Sequence, residues 1–291
     1  MKLAIIANPA AGGGRAYQAV RQHIAGWAHT DWEVQTLTTR GRDDAGLLAR
    51  QLLTQPPDLL AVCGGDGTVN EIVSHISGPP FPVAVLPAGT ANVLARELGL
   101  PLNPIKALEI ALRRTVKSVD VGILKNGAAR RFLFVAGIGF DAFAVFSARP
   151  RLKKRLGMAA YVIAIVECFR NYSFPEFRVE AAGRNFKAAS CLVCNAKSYG
   201  GGLLFCPDAS MDDGLLDILI LERSRNVRLA FFLLRAWLQK PQSGEWIHRL
   251  QARTVRIEGP GEVLVQTDGE LAGCLPLEAR LADMRFPLVV P

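Results

Sequence analysis

Leu59-Leu60-Ala61-Val62-Cys63-Gly64-Gly65-Asp66-Gly67-Thr68-Val69-Asn70-Glu71 runs from an apolar stretch through three glycines around one acid into an apolar-periodic segment. The order is strand, glycine turn, helix. Such a turn lets backbone come very close to a ligand and points helix N-terminal N–H groups at it, which is how proteins hold phosphate. Thr68 and Glu71 form a T-x-x-E capping box that marks the helix start. A tight strand-to-helix turn with a capping box also forms without any ligand. The commoner phosphate loops do not fit: a dinucleotide fingerprint wants a small residue where Asn70 stands, and the chain has no Gly-Lys dipeptide for a Walker A loop.

Two further loops of this kind flank the first. The strand Leu3–Ala7 leads into Asn8-Pro9-Ala10-Ala11-Gly12-Gly13-Gly14-Arg15 and a helix over Ala16–Trp27. The strand Pro82–Leu86 leads into Pro87-Ala88-Gly89-Thr90-Ala91-Asn92, with Thr90 as N-cap of a helix over Ala91–Leu98. Between them lie a strand over Glu33–Leu37, a polar turn containing Thr39, which by itself reads as a plain turn residue, and a helix to Leu53. Strands alternating with helices up to about residue 115 predict a parallel, helix-covered sheet. Its C-terminal strand ends share one edge, so the glycine and threonine loops there are expected to face one nucleotide.

From Ser118 onward strand patterns dominate: Val119–Leu124, Phe132–Ala136, Phe177–Ala182, Ala188–Cys194, Leu215–Leu221, Val255–Glu258, Val263–Gln266 and Arg285–Val290, interrupted by helices over Leu152–Phe169 and Asn226–Leu238. A second, largely antiparallel β domain therefore begins near residue 120. Two places in it carry chemistry. The oxygen-rich segment Pro207–Asp217 invites a hard cation, although it is not an EF-hand and also reads as a solvated turn. Asp268-Gly269 is a type I′ hairpin signal, whereas nothing about a turn requires the acid at Glu270.

With 291 residues, 50% of them hydrophobic and 21% charged, the chain is long enough for one large or two ordinary domains. Its formal charge of +8 favours an acidic partner, nucleic acid or an anionic membrane surface. No recognition helix or aromatic RNA platform is visible, so nucleic acid is not expected. Six scattered cysteines predict a reduced, cytoplasmic setting, with Cys191 and Cys194 as buried strand residues rather than metal ligands. The longest apolar run, Met158–Val166, is half a membrane span. Beside it Arg149–Arg155 packs five cations into seven residues, and with Leu229–Leu238 this suggests peripheral contact with an anionic membrane at its inner face.

In order along the chain stand Asn-Pro-x-x-Gly at Asn8, Gly-Gly-Asp-Gly-Thr-x-Asn-Glu at Gly64, Leu86-Pro87-x-Gly89-Thr90-x-Asn92, Ala136-Gly137-x-Gly139-Phe140-Asp141-Ala142, Asp212-Asp213-Gly214-Leu215-Leu216 and Asp268-Gly269-Glu270. This series resembles the diacylglycerol kinase catalytic family, which includes bacterial lipid kinases and sphingosine kinases and is related to NAD kinases. The resemblance implies an N-terminal α/β nucleotide-binding domain over 1–120, its parallel sheet NAD kinase-like and completed by 282–291, and a C-terminal antiparallel β-sandwich domain over 121–281 for lipid and metal. It implies an ATP- and Mg²⁺-dependent lipid kinase of phospholipid metabolism, acting on a hydroxyl of a membrane lipid such as diacylglycerol. A soluble-metabolite kinase of the NAD kinase type and a non-catalytic nucleotide-binding regulator are the alternatives. By position, Asn8, Pro9, Ala10, Ala11, Gly12, Thr39, Gly65, Asp66, Gly67, Thr68, Val69, Asn70, Glu71 and Thr90 would contact ATP. Ser210, Asp213 and the Leu215 carbonyl would hold Mg²⁺, and Glu270 would accept the hydroxyl proton. Asp66 is a second base candidate, assigned to Mg²⁺ and phosphate organisation. Oligomeric state stays open, a homodimer included.

Overall fold

The computed structural model describes residues 1–27, 31–147, 169, 171–199, 202–223, 226–240 and 242–291. The basic run Arg149–Arg155, the apolar run Met158–Val166 and Cys168 lie outside the described residues. Two compact units are present, one formed by Met1–Val119 with Met284–Pro291 and the other by Asp120–Asp283.

In the first unit the order is β1 (Lys2–Ala7), α1 (Arg15–Ala25), β2 (Glu33–Thr38), α2 (Asp44–Leu52), β3 (Leu59–Gly64), α3 (Asp66–His75), β4 (Val83–Pro87), α4 (Val93–Glu97), α5 (Pro104–Ala111) and β5 (Val116–Val119). The last strand of the chain, Phe286–Val289, returns to the sheet beside β4 and pairs antiparallel with β5. β1, β2, β3 and β4 run parallel, and β3 and β4 are buried along their whole length. That burial is why they read as unbroken apolar runs: a parallel sheet covered on both faces leaves no solvent side to alternate toward. β2 is the exposed edge and is correspondingly polar.

The second unit contains β6 (Gly122–Asn126), β7 (Ala128–Phe132), β8 (Val135–Gly139), α6 (Phe140–Ser147), β9 (Phe177–Ala181), β10 (Arg184–Ala188), β11 (Ser190–Cys194), β12 (Ser198–Tyr199), β13 (Leu203–Leu204), β14 (Leu216–Leu221), α7 (Asn226–Trp237), β15 (Ile247–Ala252), β16 (Thr254–Glu258), β17 (Leu264–Thr267), β18 (Glu270–Cys274) and β19 (Leu277–Leu281). The returning strand Phe286–Val289 is β20. Among the described residues, two six-stranded antiparallel sheets, β10-β9-β16-β19-β6-β7 and β15-β14-β11-β8-β17-β18, enclose one core that includes Phe132, Ile138, Val193, Ile218, Ile257 and Val265. This is the β-sandwich expected.

Several boundaries correct the sequence reading. The single strand expected over Val119–Leu124 is two, β5 and β6, one in each unit. The strand expected over Phe132–Ala136 straddles the turn between β7 and β8, and the one over Ala188–Cys194 joins the end of β10 to β11. Cys191 and Cys194 are buried in β11, as a strand reading requires.

The turn between β17 and β18 is tied to its neighbours by the Asp268 side chain. Asp268 and Gly269 both have positive φ, 49° and 86°, as a type I′ hairpin demands. Beyond that, the Asp268 carboxylate accepts the N–H groups of Leu133, Phe134 and Val135 at 2.7, 3.0 and 2.9 Å, tying the hairpin to the start of β8. Loss of three charge-assisted bonds leaves three amides unsatisfied, so Asp268→Ala is expected to destabilise the protein by about 3 kcal/mol, a fall of roughly 6–12 °C in Tm by thermal unfolding.

Candidate active site

The first unit brings its three strand-end loops together by direct backbone contact. A methyl group built on Gly89 would lie 2.7 Å from the Gly65 Cα, and one on Gly12 would lie 2.3 Å from the Ala88 carbonyl oxygen. The Asn8 amide N–H donates to the Cys63 carbonyl, and the Ala88 N–H to that of Gly64. The Asn8 side chain takes the Ala10 N–H on its oxygen at 3.0 Å and reaches the Thr68 hydroxyl with its nitrogen at 3.2 Å. Gly12, Gly13 and Gly14 sit in succession at φ of 54°, 71° and 79°, a left-handed run that side chains would strain. Thr39 is buried, its N–H donating to the Ala7 carbonyl at the end of β1.

Two capping expectations are overturned. α3 begins at Asp66 with Gly65 as its N-cap, so Thr68 lies inside the first turn. Its hydroxyl meets Asn8, while the Glu71 carboxylate accepts the Ala45 N–H of α2. The helix expected over Ala91–Leu98 is α4, Val93–Glu97, and its N-cap is Asn92 in the left-handed region at φ 48°, not Thr90. Asn92 instead clamps its own loop, accepting the Gly89 N–H at 2.8 Å and donating to the Gly89 carbonyl at 2.9 Å. α4 is capped from across the loops, because Asp66 accepts the Val93 and Leu94 N–H groups on its two carboxylate oxygens, both at 3.0 Å. The sequence reading gave Asp66 only chemical roles; the structure adds a holding role that joins the β3 loop to the β4 loop.

What stays at the surface of this assembly is informative. Gly12, Gly13, Gly67 and Thr90 are exposed. Gly67 has no positive φ, and a methyl group built on it would meet nothing within 4 Å. Its lack of a side chain therefore has no cause among the contacts within the protein.

In the second unit, the loop before β14 is organised by Asp120, buried, whose carboxylate accepts the Gly214 N–H at 2.8 Å. Ser210 donates to Asp212, and Asp213, exposed, accepts the Leu215 N–H at 2.9 Å. Burial pushes the Asp217 carboxyl up to about 6, with Asp213 and Asp208 adding to the rise and the Gln251 amide opposing it. The Asp217 Oδ2 is buried without a hydrogen-bond partner. An all-oxygen donor set with surplus negative charge fits a hard cation. Among the described residues no three acidic, histidine or cysteine side chains converge on one point.

Glu270 is exposed at the first position of β18, immediately after the Asp268–Gly269 turn. That turn has a second anchor in Gln266, fully buried, whose oxygen accepts the Gly269 N–H at 2.7 Å while its nitrogen donates to the Asp141 Oδ2 at 2.6 Å. Asp141 stands in the first turn of α6, and burial pushes its carboxyl up to about 6 against the opposing Gln266 bond. It also lines an apolar cleft of about 590 Å³, open mouth included, on the outer face of β11 and β14. The other walls include Phe140, Leu192, Leu221, Leu229 and Phe232. Along β11, Cys191 and Val193 face the sandwich core while Ser190 and Leu192 face the cleft.

Comparison with known proteins agrees with this architecture. A model of the diacylglycerol kinase catalytic domain matches residues 2–124, and one of the YegS C-terminal NAD kinase beta sandwich-like domain matches residues 135–290. A diacylglycerol kinase of Mycobacterium tuberculosis is 31% identical over all of this chain and 95% of its own length. The chain belongs to the diacylglycerol kinase family. A crystal structure assigned as a diacylglycerol kinase from Bacillus anthracis superposes with a TM-score of 0.82 at 26% identity, covering 100% of this chain and 95% of that one. An NAD kinase of Archaeoglobus fulgidus in complex with ATP shares the fold at a TM-score of 0.55 and 11% identity, over 99% of this chain and 93% of that one. The chain is thus a member of a kinase family, with an α/β domain of parallel strands and an antiparallel sandwich.

The sequence reading did not single out Asp120 or Gln266, and it gave Asn92 and Asp268 no anchoring role. Their signal was present only as polar residues inside apolar or turn segments. Three outcomes test this geometry. Gly67→Ala is expected to leave the protein folded, with a gain of up to about 1 kcal/mol in the helix, yet to weaken nucleotide binding at least about tenfold in calorimetric titration. Gly65→Ala is expected to lower stability as well, through the Gly89 contact. For Asp141, a raised carboxyl pKa means the folded state holds the proton more tightly than the unfolded one, so its contribution falls as pH rises from about 4 to about 6 and is constant above. Asp141→Asn removes that loss, and the variant is expected to gain on the wild type by no more than about 3 kcal/mol between pH 4 and pH 7 in urea titrations.

Proposed function

We propose that the protein is an ATP-dependent lipid kinase that phosphorylates a hydroxyl of a membrane lipid, with diacylglycerol as the first candidate. The observation that carries the lipid assignment is the apolar lining of the cleft beside α6 and α7, where Phe140, Leu192, Leu221, Leu229 and Phe232 suit acyl chain better than a polar metabolite. The nucleotide assignment is supported by the exposed Gly12, Gly13, Gly67 and Thr90 on loops otherwise locked by their own contacts.

In this reading Asn8–Gly12, Thr39, Gly65–Glu71 and Thr90 hold ATP. Loops bonded to one another before the ligand arrives need little rearrangement to present their N–H groups, and phosphoryl transfer depends mostly on such positioning. Asp66 keeps the β3 and β4 loops in register. Glu270 accepts the proton of the lipid hydroxyl; the oxygen bonds to the γ-phosphorus, the bond from that phosphorus to the β,γ-bridging oxygen breaks, and ADP leaves. Ser210, Asp213 and the Leu215 carbonyl are the groups that would hold Mg²⁺, which neutralises phosphate charge when bound. Asp268 and Gln266 fix the turn from which Glu270 projects.

Transfer of label from γ-labelled ATP to a panel of lipids in mixed micelles, with soluble NAD in parallel, tests the proposal. Label is expected in a lipid, and Glu270→Gln is expected to reduce its rate by about 100-fold or more with ATP binding retained. Label in NAD alone would establish the soluble-metabolite reading instead, and an unchanged rate in Glu270→Gln would remove Glu270 as the proton acceptor.

A further inference from the structure

α7 is apolar on two opposite sides. Leu229, Phe232 and Ala236 are buried on the inner side, where Leu229, Phe232 and Leu233 line the apolar cleft. On the outer side Val227, Phe231, Leu234 and the following Leu238 repeat at intervals of four, three and four residues, which aligns them in one ridge. They are 70%, 59%, 47% and 48% exposed, and Trp237 beside them is 64% exposed. A surface helix of a soluble domain carries charge on its outer side; this one carries large hydrophobes.

The flanks say what covers the ridge. From Arg223 to Lys240 the sequence holds five cations, Arg223, Arg225, Arg228, Arg235 and Lys240, and no acid in 18 residues. On the helix, Arg228 and Arg235 lie seven residues apart on one flank of the ridge, and the Arg235 guanidinium sits 5.8 Å from the Phe231 ring centre. Apolar side chains in the middle, guanidinium groups at the side and a tryptophan at the end suit an interface of anionic headgroups over acyl chains. A protein partner would more often bring acids to a less continuous ridge.

We propose that α7 is a membrane-docking helix, its outer ridge of Val227, Phe231, Leu234 and Leu238 entering the boundary of an anionic bilayer while Arg228 and Arg235 pair with lipid phosphates. The inner side of the same helix then walls the cleft, so a lipid passes from the bilayer to the cleft around one helix. This rests on the lipid-kinase reading for its purpose, but not for the docking itself.

The test is co-sedimentation of the full chain with vesicles of phosphatidylcholine alone and of phosphatidylcholine mixed with phosphatidylglycerol. The wild type is expected to bind the anionic vesicles, less so at high salt. Phe231→Asp with Leu234→Asp is expected to lower the partition at least about tenfold, and Arg228→Glu with Arg235→Glu to abolish the preference for anionic lipid. As a measurement independent of folding in those variants, brominated lipid should quench wild-type tryptophan fluorescence, and Trp237→Phe should lose the quenchable part. The Phe231 and Leu234 variant should still phosphorylate a monomeric short-chain diacylglycerol at the wild-type rate while failing on the vesicle-embedded lipid. Vesicle binding through α7 without phosphorylation of any lipid would overturn the proposed function and leave the docking helix standing. Undiminished vesicle binding by the variants, quenching unchanged in Trp237→Phe, or a wild type that ignores vesicles and self-associates through the ridge would overturn the docking proposal.

Discussion

Two α-carbons in van der Waals contact, those of Gly65 and Gly89, set the geometry of the first unit's loop edge. A methyl group on Gly89 would clash with the Gly65 Cα at 2.7 Å and one on Gly65 would crowd the Gly89 Cα at 3.1 Å, so the end of β3 and the end of β4 lie flush. Asp66, one residue past that contact, is then within reach of the first amides of α4 and caps them. The glycine run after β1 is drawn in by the same close approach, Gly12 against the Ala88 carbonyl. Loops that satisfy and support one another in this way retain their shape without a ligand, which lowers the ordering cost when one binds.

The second unit solves a similar problem with side chains. Asp268 gathers three amides from the start of β8, and Gln266 links the hairpin turn to Asp141. A buried polar network of this kind is stable only when its members are partnered, and here each bond also fixes the base of the turn that presents Glu270. The cost appears at Asp141, whose burial raises its carboxyl to about 6.

Sheet covering explains both the legible and the misread parts of the chain. β1, β3 and β4 read clearly because two buried faces produce unbroken apolar runs, and β11 and β14 do so for the same reason, with the sandwich core on one face and the cleft on the other. β10, with Arg184-Asn185-Phe186-Lys187, and β15, with His248-Arg249-Leu250-Gln251, are half-exposed strands whose polar residues concealed them. β5 and β6 were read as one because the apolar pattern continues through Val119, Asp120 and Val121, although the chain changes unit there. Thr68 and Thr90 were read as caps because threonine before a helix usually is one; here Gly65 and Asn92 hold those positions.

Local chemistry in the sequence was sufficient for the glycine turns, the parallel strands, the type I′ hairpin and the buried cysteines, since each depends on residues within a few positions of one another. The bonds from Asp66 to Val93, Asp120 to Gly214, Gln266 to Asp141 and Asp268 to Leu133 span 27 to 135 residues along the chain. No periodicity reports contacts of that separation, because they exist only once the sheets bring distant segments within hydrogen-bonding distance. The same holds for α7: its residues announced an apolar helix, but only packing decided which of its two apolar sides is buried against the cleft and which is left to the outside.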